Sequence, residues 1–134
     1  MSLSQGSTFI NDQYGSLGPH LWIIISDPAL DNTKVVIVNI SSWRTQPHVA
    51  FLNDKTCIVN DGDHPFIDKK SYVYYGYAMV TTEKSLQDGL TGGVLEPNED
   101  CSPQLLEKIL VGVTQSPHTP LKVLGILQEQ GLID

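Results

Sequence analysis

The chain reads as an α+β protein, a β-rich body followed by two helices. Three observations predict this. Two short runs rich in Ile and Val, LWIIIS at 21–26 and VVIVNIS from Val35, flank an eight-residue link. A longer run of β-formers, SYVYYGYAMV, occupies residues 71–80. Beyond Ser102 the apolar residues recur at helical rather than strand spacing.

Taken in order, residues 1–19 are polar and rich in Gly and Ser, which predicts a loose terminus with one short strand at most. Phe9, Ile10 and Tyr14 are its potential anchors. In residues 21–26, Leu21, Ile23 and Ile25 face one way while Trp22 and Ile24 face the other. Both faces are apolar, so this strand is expected to be buried on both sides. Pro28, Asp31 and Asn32 supply the turn chemistry that makes residues 21–42 a hairpin. Residues 43–55 read as a connection, with Trp43 and Phe51 as anchors and a turn at Asn53 and Asp54. TCIV at 56–59 is a third short strand, and Asp61, Gly62 and Asp63 form a turn. His64 precedes Pro65 and is biased toward extended geometry.

In residues 71–80, strict alternation puts Tyr72, Tyr74, Gly76 and Ala78 on one face and Val73, Tyr75, Tyr77 and Met79 on the other. Gly76 in mid-strand predicts a bulge or a close backbone approach. Residues 81–99 are polar and glycine-rich, read as a link holding a short strand near Val94 and Leu95. Ser102 and Pro103 make an N-cap with proline at the first helical position. Leu105, Leu106, Ile109, Leu110 and Val113 then form an apolar stripe. Thr119 and Pro120 repeat the device before Val123, Leu124, Ile126 and Leu127, and Gly131 is a C-terminal stop. The chain is expected to be one domain: a loose terminus (1–19), a β-rich body (20–100) and two helices (102–132).

The net charge is −7, from 15 acids and 8 bases among 134 residues. That excludes a broad nucleic-acid surface but leaves room for a narrow cleft. No apolar run is long enough to span a membrane, and no basic-then-apolar leader opens the sequence. Cys57 and Cys101 form no CxxC pair and read as reduced thiols, so a cytoplasmic location is expected.

No nucleotide, cofactor or zinc motif is present, so neither a cofactor nor a metal is expected. His64, in DGDHPF, stands among carboxylates and close to Lys70, Ser71 and Tyr72. A neighbouring acid orients an imidazole for acid–base work. His20 precedes the first hairpin strand, where its side chain reaches the mouth of the sheet. Ser41 and Ser42 end the second strand and are placed to bind an oxyanion. Arg44, Lys69 and Lys70 are candidate phosphate contacts. The tyrosines from Tyr72 to Tyr77, Tyr72 and Tyr75 foremost, are candidates for stacking a base. Each also has an ordinary structural reading as a turn, strand-end or core residue.

The stretch PHLWIIISDPALDNTKVVIVNISS resembles the central strand pair of the MazF/PemK-like toxins. Over residues 20–114 the later order is also similar: a serine-led strand, a glycine-containing link, then a helix opening after Ser and Pro with paired leucines. The resemblance implies a small SH3-like β-barrel with C-terminal helices, a homodimer, and metal-independent cleavage of single-stranded RNA under control of an antitoxin protein. It places His20 where the family has its phosphate-stabilising arginine, and Ser42 near the hydroxyl residue that ends the second strand. Cleavage of this kind needs a base, an acid and a cation. The expected set is His64 and His20 as base and acid, Lys70 as the cation and Ser42 as a hydrogen-bond donor, with Arg44, Tyr72 and Tyr75 holding substrate. The rival class is a non-catalytic protein-interaction or regulatory module, working through an apolar patch on the terminal helices. A hydrolase using Cys57 with His64 is a third class.

Overall fold

The computed structural model describes residues 2–11 and 19–134. Six strands form one antiparallel sheet: β1 (Thr8–Asn11), β2 (His20–Ile24), β3 (Val35–Ser42), β4 (Ile58–Val59), β5 (Ser71–Thr81) and β6 (Glu96–Asn98). Their order across the sheet is β4-β5-β3-β2-β1-β6. Among the described residues there are three α-helices, α1 (Glu83–Thr91) between β5 and β6, and α2 (Pro103–Gln115) and α3 (Leu121–Glu129) after β6. The molecule is therefore α+β, with a curled sheet and helices on both of its faces.

The hairpin β2–β3 is the middle of the sheet, paired Leu21 with Ile40 and Ile23 with Val38. Both of its faces are dry, as the alternation predicts. Leu21, Ile23, Val36, Val38 and Ile40 pack with Ile109 and Val113 of α2 and with Val123 and Leu127 of α3. On the other face Trp22, Ile24, Val35 and Ile37 pack with Phe9, Leu95 and Leu86 of α1. Removing a fully buried aliphatic side chain from water is worth roughly 1.5–3 kcal/mol, so the hairpin contributes strongly to both cores.

Two elements differ from the sequence-based expectation. The glycine-rich link contains helix α1, capped by the Thr82 hydroxyl, which accepts from the Ser85 N–H at 3.0 Å. Its only buried residue is Leu86, too little for an apolar stripe to be legible. The short strand of this region is β6, one residue after Leu95. Within the terminus expected to be loose, residues 6–11 are tied to the sheet, and residues 12–18 lie outside the described residues. The Gly6 N–H donates to the Ile24 carbonyl at 2.7 Å, and the Cys101 N–H donates to the Gly6 carbonyl at 2.8 Å. Tyr14, an expected anchor, lies outside the described residues. Phe51, the other expected anchor of the 43–55 connection, is 78 % exposed on a 3₁₀ turn at Ala50–Leu52.

The bulge expected at Gly76 is present and changes which tyrosines share a face. Ile37 pairs with Met79, but Asn39 pairs with Tyr74, so β5 carries extra residues between them. Val73 and Tyr75 face α2 and α3, and after the bulge Ala78 and Val80 resume that face. Tyr77 therefore joins Tyr74, with the rings stacked at 4.2 Å. Strict alternation had put them on opposite faces.

Asp54 links the connection to the end of α2. The Ser116 hydroxyl donates to one carboxylate oxygen at 2.6 Å, and the Thr56 N–H donates to the other at 2.9 Å. Burial alone would raise this carboxyl's pKa, but the Ser116 and Thr56 hydrogen bonds outweigh it and hold the group below its ordinary 3.8. The unfolded chain then binds the proton more readily than the native one. The stabilisation is therefore complete above about pH 4–5 and is lost as pH falls through the native value. Thermal melts of the protein should fall below pH 4 more steeply than those of Asp54→Asn, and parallel acid limbs would show that Asp54 does not carry the effect.

Among the described residues no helix is long and apolar enough to cross a membrane. Cys57 and Cys101 are free and buried. Burial pushes both thiols up, Cys101 to about 11, which disfavours the reactive thiolate that a Cys57 hydrolase needs.

Candidate functional site

A cleft of about 420 Å³ opens where β2 begins and β3 ends. The sheet register builds its floor. Asn11 pairs with His20 across β1 and β2, and Ser41 pairs with Tyr72 across β3 and β5. His20 and Ser41 fall one step beyond the Leu21–Ile40 pair, so one row crosses the sheet from Asn11 through His20 and Ser41 to Tyr72. Trp43 and Arg44 continue from Ser42 at the end of β3, and Asp68 and Lys69 from the segment before β5 also line the cleft. The Trp43 N–H donates to the Lys70 carbonyl at 3.0 Å and joins these two segments.

Arg44 is held at both its main chain and its head. Its N–H donates to Asn53 Oδ1, and Asn53 Nδ2 donates back to its carbonyl, each at 2.9 Å. Its guanidinium donates to the Tyr72 hydroxyl. It also lies over the Tyr74 ring, 6.0 Å from the centroid. Burial pushes the Tyr72 phenol above its usual range, with Arg44 opposing, so the hydroxyl stays neutral at Arg44's side. A guanidinium fixed this way is a preorganised site for a phosphate or other oxyanion.

The aromatic residues run on from it. Trp43 meets Tyr72 edge-on at 6.1 Å, Tyr72 meets Tyr74 at 5.6 Å, and Tyr74 stacks on Tyr77. The Lys70 ammonium sits 4.0 Å above the Trp43 ring. Arg44, Lys69 and Lys70 are three of the chain's eight bases, gathered at one place on a protein of net charge −7.

The sequence-derived candidates divide accordingly. His20, Ser42 and Arg44 line the cleft. His20 is half-buried, and its Nδ1 lies 3.4 Å from the Ile40 carbonyl. Lys70 stands beside the cleft on Trp43. Tyr72 is fully buried and anchors Arg44, so it presents no free face to a base. Tyr75 is on the opposite face, fully buried, with its hydroxyl donating to the Ile109 carbonyl at 2.7 Å. It belongs to the core and cannot touch a ligand in the cleft.

His64 does not line the cleft. It is 2 % exposed, and both ring nitrogens are engaged. Nδ1 accepts from the Phe66 N–H at 3.0 Å, so Nε2 carries the proton and donates to the Glu99 carbonyl at 2.6 Å. In this arrangement His64 folds its loop and ties it to the segment before α2, leaving neither nitrogen free to exchange a proton with a substrate.

Three contributors were not legible in sequence. Asp68 belongs to no motif, yet it lines the same cleft as His20 and Arg44. Trp43 and Asn53 gave no motif. Their one signal is position, directly after the strand-ending hydroxyl pair and at the expected turn. Among the described residues no group of three or more His, Cys, Asp or Glu is placed to hold a metal ion. Compared with known proteins, the chain matches no family model, no curated protein and no solved structure.

Proposed function

We propose that this chain is a diverged relative of the MazF/PemK-like toxins, an SH3-like barrel that cleaves single-stranded RNA in the His20–Arg44 cleft. The observation that carries the reading is the convergence of an imidazole, a carboxylate, a fixed guanidinium and a hydroxyl in one cleft, with the Tyr74–Tyr77 ring pair next to the guanidinium. That set meets the needs of RNA transesterification. The 2′-oxygen attacks phosphorus and gives its proton to the Asp68 carboxylate. Arg44 neutralises the charge gathering on the phosphate oxygens, and Ser42 donates a hydrogen bond to them. The bond from phosphorus to the 5′-oxygen breaks as His20 protonates that oxygen. A 2′,3′-cyclic phosphate and a 5′-hydroxyl result. Asp68 and Arg44 take the places that the sequence alone gave to His64 and Lys70.

The test is cleavage of a single-stranded RNA at neutral pH with chelator present. Wild-type protein should yield cyclic-phosphate ends, and His20→Ala should slow the reaction by about a hundredfold, the low end for loss of a general acid. An inert wild-type protein, or a His20→Ala rate equal to wild type, overturns the reading.

A second reading, a protein-interaction module, is favoured by one observation. A groove of about 660 Å³ runs along α2, lined by Leu106, Leu110, Val111, Leu132 and Ile133. Val111 is 52 % exposed there. Such a groove suits an apolar segment of a protein partner such as an antitoxin. Partner binding without RNA affinity selects this reading over the first.

A further inference from the structure

Tyr77 is 55 % exposed, yet its ring is already ordered. It lies parallel to Tyr74, 4.2 Å between centroids and 4° between planes. The β5 bulge turns it onto that face. Gly76 leaves room for the pair, since a Cβ there would stand 3.3 Å from the Tyr74 ring. The inner tyrosine lies under Arg44, which joins the stack to the cleft. An exposed, pre-stacked ring at the end of an aromatic row, one ring away from the Arg44 guanidinium, is complementary to one kind of ligand. That ligand has a flat aromatic face attached to a negative charge.

We propose that Tyr77 is a base-stacking subsite: the nucleotide flanking the phosphate at Arg44 lays its unpaired base on the outer face of the Tyr77–Tyr74 stack. This rests on the reading of the cleft as an RNA site and adds to it a determinant of substrate choice. Stacking is tolerant of base identity but scales with ring area, so a purine is favoured over a pyrimidine at this position. The ring pair is ordered before the ligand arrives, so little side-chain freedom is lost on binding. Duplex RNA is excluded, because its bases are already stacked on one another.

The test uses the full chain and fluorescein-labelled RNA hexamers with 2′-O-methyl sugars, which bind without being cleaved. Tyr77→Ala should weaken binding about tenfold and Tyr77→Phe hardly at all, because the stacking face is kept. Hexamers carrying one abasic site, moved along the strand, should include one position at which wild type and Tyr77→Ala bind equally. A purine at that position should bind more tightly than a pyrimidine. Arg44→Ala should weaken the parent and abasic hexamers alike. The subsite is overturned if Tyr77→Ala binds like wild type, if Tyr77→Phe is as weak as Tyr77→Ala, or if every abasic hexamer stays sensitive to Tyr77→Ala. It is also overturned if the wild-type chain binds no hexamer, or if Tyr77→Ala changes only self-association. Binding that follows the expected pattern while natural RNA stays uncut rejects the nuclease reading and leaves the subsite standing. Cleavage that is unchanged by Tyr77→Ala does the reverse.

Discussion

Arg44→Ala should reduce single-turnover RNA cleavage by about a thousandfold while the fold stays intact, the upper range for losing one preorganised oxyanion donor. The size follows from how the side chain is held. Asn53 grips the main chain of Arg44 from both sides, and the Tyr72 hydroxyl holds its head. Little reorganisation then remains to be done as charge develops on the phosphate. Arg44→Lys should recover only part of the loss, because an ammonium supplies charge without the planar fork. Tyr72→Phe should cost about tenfold, by freeing the guanidinium rather than by removing a contact to RNA. These are measured as cleavage rates at saturating protein, alongside melting temperatures. Equal rates for Arg44→Ala and wild type would remove Arg44 from the chemistry and leave the phosphate to Lys69.

Gly112→Ala should cost about 3 kcal/mol of stability, the sum of an overpacked core and a broken buried hydrogen bond. A Cβ on Gly112 would lie 2.2 Å from the Tyr75 hydroxyl oxygen and 3.0 Å from the ring carbon that bears it. Tyr75 is fully buried between β5 and α2, and its hydroxyl donates to the Ile109 carbonyl one turn earlier in the helix. The phenol therefore has no direction in which to withdraw without losing that bond. For a chain of this length the loss is a fall in melting temperature of about 10 °C. Tyr75→Phe alone should cost about 1 kcal/mol, and combining it with Gly112→Ala should cost less than the sum, because the clash and the bond share one oxygen. Additive effects would show that the helix backbone, not the phenol, resists the new methyl group.

The parts of the fold that were legible in sequence are those where local and tertiary preferences agree. The hairpin residues are β-branched, turn-bounded and buried on both faces, so nothing competes with the strand reading. Ser102 and Pro103 open α2 as expected, and the Ser102 hydroxyl accepts from the Leu105 N–H. Gly131 closes the chain's last helix at a positive φ of 71°. Thr119 is instructive in the other direction. It had the chemistry of an N-cap, but its hydroxyl donates to the Val113 carbonyl at 2.8 Å, and Pro120 takes the N-cap position of α3 with no side-chain cap bond. Helix α1 escaped because it needs only one buried leucine.

At the site, His20, Ser42 and Arg44 were legible because they cluster around strand ends whose position the hairpin fixes. His64 misled for a physical reason. The carboxylates around it suggested an orienting acid, yet its partners are the Phe66 N–H and the Glu99 carbonyl. Backbone partners leave no trace in residue identity. Tyr77 was misplaced for a related reason, since the bulge inserts three residues into β5, an odd number that reverses the alternation and that no residue identity announces.

The Glu99 carbonyl also bears on the order in which the chain assembles. It accepts from His64 and, at 2.6 Å, from the Thr8 hydroxyl, a contact that spans 91 positions of sequence. Loops of that length close late, after the local hairpin has formed. Contacts made late are absent from the folding transition state, so weakening them speeds unfolding and leaves folding nearly unchanged. Through His64, the loop that brings Asp68 and Lys69 to the cleft is tied to this long-range junction, so Thr8→Val is expected to speed unfolding and leave the folding rate nearly unchanged.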